Sequence, residues 1–198
     1  MLEESLSRDH LADRADRFVL LSGCSGGGKS VLLSALRQRG FAAFEEPGRQ
    51  VVREHLLIDG PALPWRDAAL FAELCVSRAM QQMTAAAESP GTVFFDRGIV
   101  DAVAFFEYLG RDVPAHLERA ARLLRYHRTV FVTPPWPEIF SGDRERRHSY
   151  EEAVAQYDAS IATFRRLDYQ PLELPKTSVD RRADFIIDSI GGPDSHPK

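Results

Sequence analysis

The sequence has few cysteines, no long apolar run and no excess of basic residues. Its two cysteines, Cys24 and Cys75, form no repeated spacing, so a disulfide framework is excluded and both are expected to be reduced thiols. No apolar run approaches the roughly 18 residues that cross a bilayer, and residues 1–5 lack the basic and hydrophobic regions of a secretory signal. We therefore expect a cytoplasmic protein without membrane insertion. Lys and Arg number 25 against 29 Asp and Glu, which argues against a nucleic-acid partner bound by bulk phosphate neutralisation.

Internal repeats and low-complexity linkers are also absent, so a length of 198 residues predicts little more than one domain. Residues 1–16 and 192–198 carry charges and helix breakers without apolar periodicity, and we expect them to be flexible tails around one unit at 17–191. The six histidines show no metal-ligand spacing, and no arrangement of Ser, His and Asp suggests a nucleophilic triad.

Within that unit, short apolar runs alternate with segments of helical periodicity. The apolar runs predict five strands, at residues 18–21, 41–44, 92–95, 129–133 and 172–174. A long helix at 67–87 is expected to place Leu70, Phe71, Leu74 and Arg78 on one side, and a capping box at Ser149 is expected to start a later helix. Such alternation predicts an α/β fold in which a parallel sheet has helices on both faces.

The strongest motif lies between the first predicted strand and the first predicted helix. The sequence G-C-S-G-G-G-K-S at 23–30 fits the pattern G-x-x-x-x-G-K-[ST] of a phosphate-binding loop. Backbone N–H groups of such a loop and the helix N-terminus bind phosphates, the lysine reaches the β- and γ-phosphates, and the serine hydroxyl binds Mg²⁺. The motif predicts nucleotide contacts from Gly23, Cys24, Ser25, Gly26, Gly27, Gly28, Lys29, Ser30 and Val31. The thiol of Cys24 is interpreted as a small filler rather than a reactive group acidified by the helix N-terminus.

The residues at the end of the third predicted strand help to distinguish between the classes of protein that use such a loop. Motor ATPases place an acidic pair there, but this chain has Asp96 followed by Arg97. The Asn-Lys-x-Asp motif that reads guanine is also absent, which argues against a signalling GTPase. An arginine beside the expected metal-binding aspartate supplies a positive charge for a phosphoryl group in transfer, and favours transfer to a bound acceptor.

Four motifs together give the chain a family resemblance: the loop at 23–30 and the sequences E-P-G-R at 46–49, F-D-R-G at 95–98 and R-E-R-R at 144–147. With them the chain resembles the P-loop nucleoside and nucleotide kinases, and most of all the bacterial predicted-ATPase family, of AAA type, related to the ribosylnicotinamide kinase domain. The resemblance implies a three-layer α/β/α fold with a five-stranded parallel sheet of order 2-3-1-4-5 and a helical lid at about 136–150.

The resemblance also implies roles for residues at the ends of the second and third strands. Glu46, with Glu45 as the alternative, corresponds to the carboxylate that orients or deprotonates the acceptor hydroxyl, and Arg49 to a substrate-side arginine. Asp96 corresponds to the aspartate near Mg²⁺, and Asp101 lies where a contact to a sugar hydroxyl occurs; the alternatives are a helix cap for Asp96 and a helix surface for Asp101.

Further arginines are candidates for the phosphates and for the acceptor. Arg144 and Arg147, together with Arg146, resemble the lid arginines that stabilise the transferred phosphoryl group. Arg78 either points into the acceptor pocket or pairs with an acid at the edge of the core, and Trp136 either lines that pocket or plugs its own loop.

Two functional hypotheses follow. The first is a phosphotransferase dependent on ATP, or GTP, and Mg²⁺ that acts on a small hydroxyl-bearing acceptor such as a nucleoside or nucleotide. In it Lys29, Glu46, Asp96, Arg97, Arg144 and Arg147 are catalytic, Ser30 and Asp96 bind the metal, and Glu46, Arg49, Arg78 and Asp101 bind the acceptor. The second is a slow NTPase that acts as a nucleotide-dependent binding switch.

Overall fold

A computed structural model describes residues 14–140 and 149–191. In these two ranges the chain forms one five-stranded parallel sheet and seven α-helices. In chain order the elements are β1 (Phe18–Gly23), α1 (Lys29–Gln38), β2 (Ala42–Phe44), α2 (Pro47–Leu57), α3 (Ala68–Ala87), β3 (Val93–Asp96), α4 (Ile99–Tyr108), α5 (Ala115–Leu123), β4 (Thr129–Thr133), α6 (Tyr150–Arg166), β5 (Gln170–Glu173) and α7 (Val179–Ser189). Short 3₁₀ helices occur at Ala15–Arg17 and Pro137–Ile139.

The strand order is β2-β3-β1-β4-β5, which confirms the predicted order. All pairs are parallel, and Leu21 of β1 lies opposite Asp96 of β3, so the carboxyl ends of these two strands meet at the same edge of the sheet. Active sites of open α/β sheets form at this edge, next to the strand where the order reverses. The topology therefore brings the loop after β1 beside the Asp-Arg pair after β3.

Two apolar layers cover the sheet, one on each face. Phe18, Leu20, Phe95 and Val132 pack against α3, α4, α5 and α6 on one face. Val19, Leu21, Phe94 and Phe131 pack against α1 and α7 on the other face. The alternation of the strand residues between these layers is the period of two of a β-strand, and the three-layer α/β/α fold is confirmed.

The edge strands differ from the expectation of buried runs. The residues of β2 are half-buried, and β5 begins at Gln170, includes Pro171 and is largely exposed. Proline is tolerated at the edge of a sheet because the missing N–H faces away from a neighbouring strand. Only β1, β3 and β4, in the centre of the sheet, are buried along almost their whole length.

The buried face of α3 also differs from the expectation. Its core residues are Ala72, Val76, Ala79, Met83 and Ala86, whereas Leu70 lies at the surface. Small side chains allow close packing of α3 against α4, so burial here follows shape rather than side-chain hydrophobicity. The capping box of α6 is confirmed, since Ser149 Oγ accepts a hydrogen bond from the Glu152 N–H and Glu152 accepts one from the Ser149 N–H.

Among the described residues no helix combines the length and the apolar character that a membrane span requires. The predicted tail segments at 1–13 and 192–198 and the part of the predicted lid at 141–148 lie outside the described residues.

Candidate functional site

The loop between β1 and α1 wraps closely around Thr133 at the end of β4. Gly23 has φ of +104°, and a Cβ on it would lie 2.4 Å from the carbonyl oxygen of Thr133. A Cβ on Gly27 would lie 2.6 Å from the Thr133 hydroxyl. That hydroxyl donates to the carbonyl oxygens of Ser22 and Cys24, and the Cys24 N–H donates to the Thr133 carbonyl. Gly23 and Gly27 are therefore required because a side chain at either position would collide with Thr133. The hydrogen bonds to Thr133 also fix the loop conformation against the end of β4.

Lys29 is the first residue of α1, which the left-handed backbone of Gly28 starts at φ of +79°. The Lys29 side chain is buried, and its Nζ donates a 2.9 Å hydrogen bond to the Cys24 carbonyl oxygen. Burial lowers the pKa of Lys29, Arg97 lowers it further, and the charge of Asp96 opposes this change. An ammonium held this way at a helix N-terminus is directed at the loop that binds phosphate in related folds.

The other predicted nucleotide contacts differ in their environments. Cys24 is buried, and burial raises the pKa of its thiol, which supports the interpretation as a filler. Ser30 is exposed at the start of α1, where its hydroxyl is available to a metal or phosphate. The side chain of Val31 is 58% exposed, so any contact of this residue to a nucleotide would involve its backbone.

Asp96 is a buried carboxylate beside the loop. Its side chain is 3% exposed, and Oδ1 has no hydrogen-bond partner among the described residues. Burial raises the pKa of Asp96 to about 7, although Lys29 and Arg97 act in the opposite direction. Its side chain does not cap α4, because the cap residue of that helix is Gly98.

The residues around Asp96 fit Mg²⁺ bound together with phosphates. A free carboxylate oxygen on Asp96 and the hydroxyl of Ser30 are oxygen donors of the kind that Mg²⁺ prefers. The described residues contain no group of three or more His, Cys, Asp or Glu that could hold a metal. Magnesium usually takes one or two protein ligands and completes its shell with water and phosphate oxygens, so the small donor set agrees with this binding mode.

Arg97 contacts three partners, of which one is in the loop and two are carboxylates. Its Nη2 donates to the Gly23 carbonyl oxygen at 3.0 Å, its Nη1 lies 2.9 Å from Asp101, and its Nε lies 3.2 Å from Glu46. Burial by itself lowers the pKa of Arg97, but Glu46, Asp101 and Asp96 together raise it. The backbone of Arg97 has φ of +62° and its N–H donates to the Leu21 carbonyl oxygen, which turns the side chain back beneath the loop.

Asp101 is a positioning residue whose side chain is 8% exposed. One of its oxygens accepts from Arg97 and from the Ser22 hydroxyl, and the other accepts from the Gly98 N–H at 2.9 Å. The helix-surface alternative is therefore wrong. Its oxygens are engaged with the protein, although the residue still lines the adjoining cavity.

A cavity of about 170 Å³ opens next to the loop. It lies between α2, α3, α4 and α6, and Gly23, Ser25 and Arg97 are at its end near the loop. The remaining lining residues are Glu46, Pro47, Gly48, Arg49, Val52, Pro64, Phe71, Ala72, Cys75, Gly98, Asp101, Ala102, Ala104, Phe105, Tyr108, Gln156 and Ser160. The cavity is therefore continuous with the loop and has a largely apolar wall.

The structure distinguishes Glu46 from Glu45. Glu46 lines the cavity with a 22% exposed side chain, and its carboxylate lies 3.2 Å from Arg97 and 3.5 Å from Arg49. Glu45 points to the opposite side, where it pairs with Arg37 at 3.3 Å and is 58% exposed. Of the two neighbouring carboxylates, only Glu46 faces the cavity.

Arg78 and Trp136 lie elsewhere. Arg78 forms a two-point ion pair with Glu54 and does not belong to the described cavity lining, so its expected place in the acceptor pocket is not observed. The Trp136 ring lies 5.6 Å from the guanidinium of Arg182 and does not belong to the described cavity lining, so the alternative in which it lines the acceptor pocket is not observed. Arg144 and Arg147 lie outside the described residues, so their predicted lid role stays a prediction.

Arg182 of α7 is a functional candidate that the sequence analysis missed. It is 4% exposed, and its Nη1 donates a 3.1 Å hydrogen bond to the Gly27 carbonyl oxygen. Its Nε has no hydrogen-bond partner, and no carboxylate of the described chain pairs with it. The spacing of Val179, Arg182 and Ile186 places this arginine on the apolar face of its helix, and that spacing was the available signal.

Solved structures with the same fold include several kinases. Thymidylate kinase from Ehrlichia chaffeensis aligns over 87% of this chain and 97% of its own, with 14% identity and a TM-score of 0.57. Deoxyadenosine kinase from M. mycoides with bound dCTP aligns over 87% and 98%, with 12% identity and a TM-score of 0.57. The NadR protein in complex with NAD and AMP-PNP aligns over 89% of this chain and 50% of its own, with 19% identity and a TM-score of 0.64.

No curated protein matches the sequence significantly. A family model described as an AAA domain matches residues 18–182, which include the loop, the Asp-Arg pair, the cavity lining and Arg182. The chain therefore belongs to this AAA domain family, and within it adopts the fold of the P-loop nucleoside and nucleotide kinases.

Proposed function

We propose that the chain is a phosphotransferase that moves the γ-phosphoryl group of ATP to a hydroxyl group of a small acceptor. The observation that carries this proposal is the cavity that opens directly onto Gly23 and Ser25, with the Glu46 carboxylate and the Arg97 guanidinium in its lining. A nucleotide switch with slow hydrolysis needs the loop but has no use for such an adjoining cavity. GTP as the phosphoryl donor is tested in the same assay.

The phosphates of the donor are held by the loop. Backbone N–H groups of residues 23–30, the N-terminus of α1 and the Lys29 ammonium surround the place that a triphosphate takes in this fold. Arg182 adds a positive charge behind Gly27 and Gly28. Ser30 and Asp96 would hold Mg²⁺, which neutralises charge on the phosphate oxygens when bound.

The acceptor hydroxyl is handled by Glu46. As the acceptor oxygen forms its bond to the γ-phosphorus, the bond from phosphorus to the ADP oxygen breaks, and Glu46 accepts the hydroxyl proton. Arg97 lies between Glu46 and the loop, and its charge stabilises the phosphoryl group in transfer through space while its three nitrogens stay on Glu46, Asp101 and Gly23. Asp101 and Arg49 position these two side chains through the ion pairs described above.

The test is product formation from labelled ATP or GTP with Mg²⁺, in the presence and absence of a panel of nucleosides, nucleotides and sugars. Acceptor-stimulated transfer to a new phosphorylated product supports the proposal. The Glu46→Gln variant should lose this transfer, and the Glu45→Gln variant, altered at the neighbouring carboxylate outside the cavity, should keep it. Acceptor-independent slow hydrolysis with no phosphorylated acceptor supports the switch instead.

A further inference from the structure

We infer that the acceptor is an uncharged alcohol that carries a flat ring, and that phosphomonoesters are excluded from the cavity. The inference rests on the proposed function and concerns the charges and the shape of the acceptor site. The inference distinguishes acceptors without a phosphate from acceptors with one. The fold alone does not make this distinction, since solved structures of this fold include a deoxyadenosine kinase and thymidylate kinases.

The first observation is the charge balance of the cavity. Among its described lining residues four are charged: Glu46, Asp101, Arg49 and Arg97. The two carboxylates and the two guanidinium groups sum to zero before an acceptor enters. A phosphomonoester would bring nearly two negative charges into a partly buried site whose described lining has no net positive charge to receive them.

The second observation is how the two arginines are engaged. Arg97 directs all three of its nitrogens to protein oxygens, those of Glu46, Asp101 and Gly23. Arg49 faces the same Glu46 carboxylate at 3.5 Å. A phosphate that recruited either arginine would have to displace Glu46 and then lie beside it, and like charges in contact at a partly buried site are strongly unfavourable. A hydroxyl group needs no such rearrangement, because it can donate directly to Glu46.

The third observation is the apolar part of the cavity lining. Phe71 and Phe105 pack edge to face with ring centroids 5.7 Å apart, and Ala72 and Ala102 lie beside them. Cys75 completes this wall, and burial raises the pKa of its thiol, so the thiol is neutral. Such a surface favours a flat ring over a flexible or charged chain.

Neutral polar groups also belong to the lining. Tyr108, Gln156 and Ser160 belong to the lining and carry hydrogen-bonding groups without charge. They can read polar substituents of a ring or a sugar. The described lining thus combines apolar side chains, neutral polar groups and charged groups that compensate one another.

The experiment compares matched pairs of ligands that differ only in a phosphate. Thymidine, cytidine and guanosine, and the 5′-monophosphate of each, are titrated into the full chain by calorimetry, with ADP and Mg²⁺ at saturation so that the donor site is filled. We expect at least one nucleoside to bind about tenfold or more tightly than its own monophosphate. In the Glu46→Gln variant the preference should shrink or reverse, because Arg97 and Arg49 lose a carboxylate, whereas Glu45→Gln should keep the wild-type preference.

Each outcome has a defined meaning. A monophosphate that binds as tightly as its nucleoside, or no binding by any nucleoside while ADP binds, overturns the inference. The transfer assay separates this failure from that of the proposed function. Transfer that favours monophosphates overturns the neutral acceptor and leaves the phosphotransferase standing, whereas no transfer to any acceptor overturns the phosphotransferase and the inference with it.

Discussion

Replacing Asp96 with asparagine should make the protein more stable and less active, and the gain in stability should depend on pH. Burial raises the pKa of Asp96 to about 7, from 3.8 for an ordinary aspartate, and its Oδ1 has no hydrogen-bond partner in the described chain. The folded protein therefore holds this proton more tightly than the unfolded chain does. Stability is consequently lost as pH rises from about 4 through about 7, which is the opposite of a salt-bridged carboxylate.

The magnitude follows from the two pKa values. They differ by about three pH units, and each is worth about 1.4 kcal/mol, so ionised Asp96 costs roughly 4 kcal/mol of folding free energy at pH 9. At pH 5 roughly 2 kcal/mol of that cost remains. Asparagine has a similar shape and no charge, so the advantage of Asp96→Asn over wild type should grow by roughly 2 kcal/mol between these pH values.

The assay is urea unfolding of both proteins at pH 5 and pH 9, with Mg²⁺ chelated and no nucleotide present. Asp112→Asn, at an exposed carboxylate, is the control and should show no such pH-dependent difference. Calorimetry should show that Asp96→Asn weakens ATP binding in Mg²⁺ more than in chelator. If the variant is no more stable than wild type, or if its advantage does not grow with pH, the buried-carboxylate reasoning is wrong.

Three further substitutions test the loop. Lys29→Met should abolish transfer and strongly weaken ATP binding by calorimetry, because it removes the buried ammonium that faces the phosphates; retained turnover contradicts the assignment. Gly23→Ala should lower the free energy of unfolding by roughly 3 kcal/mol or more in urea, because it adds left-handed strain to a Cβ contact of 2.4 Å with Thr133. Gly110→Ala, at φ of +64° with no atom within 4 Å, carries the strain alone and should cost only roughly 1 kcal/mol; equal losses would refute the steric argument. Arg182→Met should weaken ATP binding by about tenfold and AMP binding less, because its cation lies behind the loop; unchanged ATP affinity would show that Arg182 only supports the loop fold.

The centre of the fold and the donor side of the site are predictable from local sequence patterns. A short apolar run, a glycine-rich turn and a helical pattern at 18–38 need no distant information, and the structure has β1, the loop and α1 there. The position of Asp96 beside the loop was not a local pattern: it followed from the strand order that the family resemblance implies, in which β1 and β3 are neighbours, and Leu21 does lie opposite Asp96.

The acceptor side depends on tertiary packing that no local pattern contains. Alternation allowed only one of Glu45 and Glu46 to face the site, but which one does depends on how β2 ends against β3. The buried face of α3 was predicted wrongly because its alanines, rather than its larger apolar residues, pack against the core. Phe71 therefore lines the cavity, and Arg78 forms a surface ion pair with Glu54. Arg182 is distant in sequence from the loop it touches, and only the packing of α7 against α1 joins them.

The simultaneous contacts of Arg97 with Gly23, Asp101 and Glu46 have a thermodynamic consequence. The same guanidinium holds a carbonyl of the nucleotide loop and a carboxylate of the acceptor cavity, so occupancy of one compartment is transmitted to the other. Any ligand that draws Glu46 away alters the restraint on Gly23, and reciprocity requires that a bound nucleotide change acceptor affinity by the same factor. In the proposed phosphotransferase, donor and acceptor are therefore coupled ligands, and Arg97 is a side chain that connects their two sites.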